Sequence, residues 1–167
     1  DVYKRQTVMS LATTDISDAH PAAQVAAPIF HHFGGKQQFS GPAKIIKVFE
    51  DNSLVRDMLE TDGEGRVLVV DGGASMRGAL GGGNLGQLGV DNGWSGILVY
   101  GCVRDSAELG AQAIGVTAMA THPKKSVKRG IGEEDLEVRF ADLRIAPGDW
   151  VYADEDGVVV TSARIEG

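Results

Sequence analysis

Three short apolar runs, each cut off by glycine or a polar stretch, constrain this fold more than any other feature. They are "RVLVVDGG" (66–73), "SGILVYG" (95–101) and "VTAMAT" (116–121). Each is too short to span a bilayer, and its apolar continuity is the pattern of a strand buried on both faces. Between them lie segments of helical spacing, roughly 84–92 and "DSAELGAQAIG" (105–115). This β-α-β alternation predicts a parallel sheet with crossover helices.

The flanks extend the pattern. "FSGPAKIIKVFE" (39–50) reads as a further strand, with Pro42 marking a sheet edge or a strand start. "NSLVRDMLE" (52–60) places Leu54, Val55, Met58 and Leu59 on one helical face behind an Asn52 cap. "TTDISDAH" (13–20) offers Thr and Asp caps for a short helix that Pro21 limits. From residue 136 the texture changes: Leu136, Val138 and Phe140 alternate with polar residues, and "APGD" and "DEDG" are turn signals. The expected fold is a layered α/β domain, with parallel βαβ units followed by antiparallel C-terminal strands. Residues 1–8, "DVYKRQTV", read as a non-native extension before a start at Met9, which leaves 9–167 as one domain.

Charge narrows the function. A formal net charge of −7 argues against direct nucleic-acid binding, which rests on Lys and Arg. The one basic cluster, "KKSVKRG" (124–130), is followed closely by "EEDLE" and reads as a solvated loop. A single cysteine, Cys102, fits a reducing compartment and reads as a small buried side chain. With no signal peptide and no apolar stretch of about 18 residues, a cytoplasmic, non-membrane protein is expected. His31 and His32 are adjacent, so a strand points them to opposite faces, away from a shared metal. "DGGASMRGALGGG" (71–83) follows a strand but fits neither G-x-G-x-x-G nor a Walker lysine motif. Lys124, Lys125 and Lys128 are candidate Schiff-base amines, but nothing near them in sequence would desolvate one, so they read as surface lysines.

Arg104 and Asp105 stand out. They follow the third of four expected parallel strands, where ligands of doubly wound sheets bind. Asp105 also begins an expected helix, so capping is its alternative role. The Gly82-Gly83-Asn84 helix start supplies unpaired N–H groups suited to a carboxylate. A metal on Asp105, a guanidinium beside it and an amide nest opposite would suit a small α-keto acid.

On these residues the chain resembles the family named for regulator of ribonuclease activity A, which includes metal-dependent 4-hydroxy-4-methyl-2-oxoglutarate aldolases. The resemblance spans nearly all of 9–163 through "TTDISDA", "FGG", "FEDN", "GRVLVVDGGAS", "NGWSGILVYGCVRD", "GIGEEDLEV" and "PGDWVYADEDGVVV". Its most specific part is a glycine, twenty residues, Arg-Asp, two residues and an acid, met here by Gly83, Arg104, Asp105 and Glu108. The resemblance implies a layered, swivelling-domain-like α/β/β fold and a cytoplasmic homotrimer with active sites between subunits. It implies a class II pyruvate aldolase, with oxaloacetate decarboxylation as a related lyase activity, both through a pyruvate enolate. Asp105 would hold Mg²⁺ or Mn²⁺, Arg104 would bind the keto acid and stabilise the enolate oxygen, and Glu108 would serve the outer shell of the metal. The backbone of Gly82, Gly83, Asn84 and Leu85 would take the substrate carboxylate. Aldolases of the family often carry Asp where Gly83 stands, so aldol cleavage is expected to suffer more than decarboxylation. Other members bind and inhibit ribonuclease E, which is the alternative function. A menaquinone-pathway methyltransferase finds no support in this glycine loop.

Overall fold

Strand β4 (Val67–Asp71) is buried along its whole length, and its side chains divide between two cores. Leu68 and Val70 face one, Val67 and Val69 the other. This is the two-faced burial that an unbroken apolar run demands, and each fully buried aliphatic contributes about 1.5–3 kcal/mol. The computed structural model describes residues 11–166; the expected extension 1–8 and the start at Met9 lie outside the described residues.

The sheet around β4 includes β3 (Phe39–Lys47), β5 (Gly96–Val103) and β6 (Gly115–Thr121), all parallel to it, in the order β3-β4-β5-β6. Antiparallel strands complete it. β10 (Trp150–Asp154) pairs with β3, β11 (Gly157–Thr161) with β10, and β1 (Gln24–Val25) with β11. β2 (His31–His32) closes the far edge on β6, and β7 (Glu133–Glu134) adds to β3. The helices α2 (Ser53–Leu59), α3 (Gly83–Asp91) and α4 (Ser106–Gly110) cover one face, burying Val55, Leu59, Leu85 and Leu109 against the sheet. The hairpin of β8 (Val138–Phe140) and β9 (Leu143–Ile145) covers the other, through Val138, Phe140, Leu143 and Ile145. The result is a mixed α/β domain layered helix, sheet and hairpin, as expected. Helix α1 (Thr13–Ala19) packs through Ile16 on β10 and β11.

Several local expectations need correction. Pro42 is at neither an edge nor a strand start: β3 is central, pairing through residues 39–42 with β10 and through 43–47 with β4. Pro42 sits where the strand changes partners, a position that tolerates a missing N–H. Asn52 occupies the N-cap of α2 but makes no capping bond; Asp51 does that work, accepting from the Ser53 N–H at 2.9 Å. Nor do the Thr and Asp residues at its start cap α1: Asp154 does that work from a distance, accepting from the Thr13 N–H at 2.8 Å and from the Thr13 hydroxyl at 2.7 Å. Strand β5 runs two residues past Gly101 to Val103, and α4 is only five residues long. His31 is exposed, while His32 turns inward to the Asp154 carbonyl and the Thr117 hydroxyl. Cys102 is fully buried, and desolvation pushes its thiol pKa up. Among the described residues no helix is long and apolar enough to cross a membrane.

Candidate active site

The carboxyl ends of the four parallel strands meet in one cleft of about 600 Å³. Its geometry depends on a short segment, 79–81, that wedges between the end of β5 and the chain leaving β6. Ala79 donates to the Lys124 carbonyl and Leu80 to the Cys102 carbonyl, while Gly81 accepts from the Arg104 N–H, each at 2.8 Å. The β5–β6 register shifts between Val99 and Cys102, next to this insertion. The wedge brings the glycine loop, Arg104 and the lysine loop to a common surface, although they are far apart in sequence.

Arg104 and Asp105 leave β5 directly into the cleft. Asp105 adopts the left-handed conformation, φ 59° and ψ 45°, which Asp tolerates better than most residues. It does not cap α4. Its Oδ2 accepts instead from the N–H of Gly83, at 2.9 Å, the first residue of α3. It therefore caps α3 and not α4, and the carboxylate ties two helix starts together. No protein donor among the described residues takes its Oδ1.

The first bond inside α3 runs from the Gly86 N–H to the Gly82 carbonyl. The N–H groups of Asn84 and Leu85 precede it and have no helical partner. Gly82, Asn84 and Leu85 line the cleft, whereas Gly83 is buried beneath it with its N–H engaged by Asp105. Of the four expected carboxylate-binding residues, three thus face the cleft and Gly83 supports them. A Cβ on Gly83 would lie 1.1 Å from Glu108 Oε2, so the Glu108 carboxylate already fills the space a side chain there would claim. Glu108 itself is exposed and not part of the cleft lining. Gln112 completes the underside, donating to the Gly83 carbonyl at 2.8 Å.

The remaining wall escaped the sequence reading. Asn52 and Arg56 reach the cleft from the β3–α2 side, and Lys124 to Lys128 from the loop after β6. Asp51 joins the two. It is 1% exposed and accepts from Ser53 N–H and hydroxyl and from the N–H groups of Arg129 and Ile131. Burial pushes its pKa up, but these donors outweigh burial and bring it down to about 2. The basic loop is exposed, as expected, yet it forms a wall of the cleft. The lining carries five cationic side chains, Arg56, Arg104, Lys124, Lys125 and Lys128, against one carboxylate, Asp105.

A family model described as "RraA-like: Aldolase/RraA" matches residues 13–160. The chain belongs to the RraA-like family. A relative from Burkholderia multivorans, provisionally named 4-hydroxy-4-methyl-2-oxoglutarate aldolase, is 56% identical over 163 residues, covering 94% of this chain and 99% of its own. A solved structure of an RNA-processing inhibitor RraA from Thermus thermophilus superposes with a TM-score of 0.91 at 44% identity, covering 95% of this chain and 97% of that one. Another, described as an S-adenosylmethionine:2-dimethylmenaquinone methyltransferase from Geobacillus kaustophilus, gives a TM-score of 0.90 at 48% identity, covering 92% and 96%.

Proposed function

We propose that this RraA-like protein is a divalent-metal-dependent carbon–carbon lyase that cleaves 4-hydroxy-4-methyl-2-oxoglutarate and decarboxylates oxaloacetate. The observation that carries the reading is the pairing of Arg104 and Asp105 with the unpaired Asn84 and Leu85 amides across one cationic cleft. The name of the Burkholderia relative supports the same substrate class.

Among the described residues no group of three or more His, Cys, Asp or Glu could hold a metal. A metal enclosed by protein ligands does not fit. A water-rich Mg²⁺ or Mn²⁺ does: Mg²⁺ keeps several waters and needs only one or two carboxylates. Asp105 Oδ1 is the free oxygen that would hold it, with Glu108 in its outer shell. Bound there, the ion supplies Lewis-acid polarisation of the keto acid.

The chain's own groups do the rest. The Asn84 and Leu85 N–H groups receive the substrate's C1 carboxylate at the start of α3. Arg104 sits beside the C2 oxygen and stabilises the negative charge that develops there. In aldol cleavage the C4 hydroxyl loses its proton, the C3–C4 bond breaks and its electron pair forms the enolate. Protonation at C3 then gives one pyruvate, and C4 leaves as the carbonyl of a second. In oxaloacetate the same bond breaks to release CO₂. That reaction removes no hydroxyl proton, so the lack of a side chain at Gly83 burdens it less.

The test is pyruvate release from both substrates with Mg²⁺, after subtraction of the protein-free metal rate. Release above that rate, stopped by EDTA, is the expected result; rates no greater than the metal blank on either substrate refute the reading. Gly82→Ala gives a second check. The added Cβ would lie 2.7 Å from Asp105 Oδ2 and 3.2 Å from Arg104 Cγ, displacing both. Pyruvate release is expected to fall by about ten- to a hundredfold, since roughly 1 Å of misplacement costs that much, while the melting temperature changes little.

A second reading is inhibition of ribonuclease E, favoured by the likeness to the RNA-processing inhibitor from Thermus. It is checked by adding the protein to a ribonuclease E cleavage assay. A methyltransferase reading is not favoured: S-adenosylmethionine carries a sulfonium cation, which the cationic cleft repels.

A further inference from the structure

The cleft holds more polar capacity than one pyruvate unit uses. The C1 carboxylate and C2 oxygen occupy Asn84, Leu85, Arg104 and Asp105, which leaves the Asn52–Arg56 and Ser126–Lys128 wall without an assigned ligand. Three observations describe that wall.

First, its charge is uncompensated. The whole chain carries −7, yet the cleft lining has five cations to one acid. Arg56 shares its charge with Glu60 at 2.9 Å, but the side chains of Lys124, Lys125 and Lys128 make no ion pair or hydrogen bond among the described residues. A divalent cation on Asp105 would add to this excess, which calls for a ligand with more than one negative charge.

Second, two polar atoms on the lining residues have no partner. Ser126 is only 8% exposed and its Oγ is buried without a hydrogen bond; the Oδ1 of Asn52 is likewise buried and unpaired. Leaving such a group unmet is destabilising, and a ligand that meets it removes that cost. A χ1 rotation of Ser126 offers its hydroxyl donor to the cleft, and a flip of the Asn52 amide turns its Nδ2–H₂ donors there in place of Oδ1. Third, Asn52 is free for this use, because Asp51 has taken over capping of α2.

We propose that Asn52, Arg56, Ser126 and Lys128 form a subsite for a second carboxylate, making the protein selective for dicarboxylic keto acids. The proposal rests on the keto-acid reading of the cleft and adds the residues that recognise the far end of the substrate. It also separates the two reactions. In 4-hydroxy-4-methyl-2-oxoglutarate the far carboxylate survives in the second pyruvate, so the subsite holds it throughout cleavage. In oxaloacetate the far carboxylate is the group lost as CO₂, and cations that grip it stabilise the ground state against the reaction. Removing Arg56 therefore lowers kcat/KM for aldol cleavage.

Binding measured by calorimetry on the intact chain with Mg²⁺ tests this without turnover. Oxalate mimics the pyruvate enolate and reaches only the Arg104–Asp105 end; 2-oxoglutarate has a second carboxylate and no hydroxyl to cleave. Arg56→Gln and Ser126→Ala are each expected to raise the Kd of 2-oxoglutarate by about tenfold, the worth of a charge-assisted hydrogen bond, and to leave that of oxalate within about twofold. The exposed Lys128→Gln, which carries no folding risk, should move in the same direction. Equal losses for both ligands, or no change in either, overturn the subsite while leaving the keto-acid reading intact. A wild type that binds neither ligand overturns both.

Discussion

Replacing Asp105 with Ala should lower pyruvate release by about 10³-fold, the scale of removing a preorganised charge from an active site. The residue works through both carboxylate oxygens. Oδ2 accepts from the Gly83 N–H at 2.9 Å and so fixes the start of α3, which presents the Asn84 and Leu85 amides. Oδ1 takes no donor among the described residues, and Asp105 lines the cleft. Asp105→Asn separates these jobs, because Asn tolerates the left-handed backbone and can still accept from Gly83. It should keep the fold within about 1 kcal/mol, the worth of one hydrogen bond, yet lose at least about a hundredfold in kcat. Steady-state rates beside thermal melts of both variants distinguish loss of charge from loss of geometry. An Asn variant with wild-type turnover would remove Asp105 from the chemistry.

The second large effect is on stability. Asp51→Ala leaves the N–H groups of Ser53, Arg129 and Ile131 without their acceptor. A hydrogen bond to a charged group contributes about 1.5–3 kcal/mol, and the bonds share one carboxylate, so a loss of about 3 kcal/mol is expected. The sign of the pH dependence follows from the depressed pKa, about 2 against an ordinary 3.8. Stability from this group is fully present above 3.8 and is lost as pH falls towards 2, on the order of 2 kcal/mol in all. Urea denaturation between pH 6 and about pH 2 should therefore show a shallower acid loss in Asp51→Ala than in the wild type. Parallel curves would mean that Asp51 does not anchor the loop. The variant should also weaken 2-oxoglutarate binding, since Asp51 holds Ser126 and Lys128 near α2 through Arg129.

Much of this arrangement could be read from local pattern. The runs at 66–73, 95–101 and 116–121 became buried parallel strands because only two-faced burial accommodates unbroken apolar sequence. Arg104 and Asp105 were legible because charge at the end of such a strand has to meet solvent or ligand. The opposite wall was not legible, because its geometry depends on long-range bonds. Asp51 meets Ile131 across 80 residues, and Ala79 reaches Lys124 through a wedge that no periodicity announces. Caps failed for a similar reason. Asn52 has the right chemistry for its position, but Asp51, one residue earlier, captures the Ser53 N–H first. Pro42 suggested an edge because the sequence cannot show that β3 exchanges β10 for β4 at that residue.

The central claim is that this cleft makes and stabilises a pyruvate enolate, and proton exchange tests it most directly. Pyruvate is incubated in D₂O with Mg²⁺ and the protein, and its methyl signal is followed by proton NMR. The signal should decay faster than in the protein-free metal control, stop with EDTA and persist with Asp105→Asn. Decay no faster than the control would contradict enolate chemistry at Arg104 and Asp105.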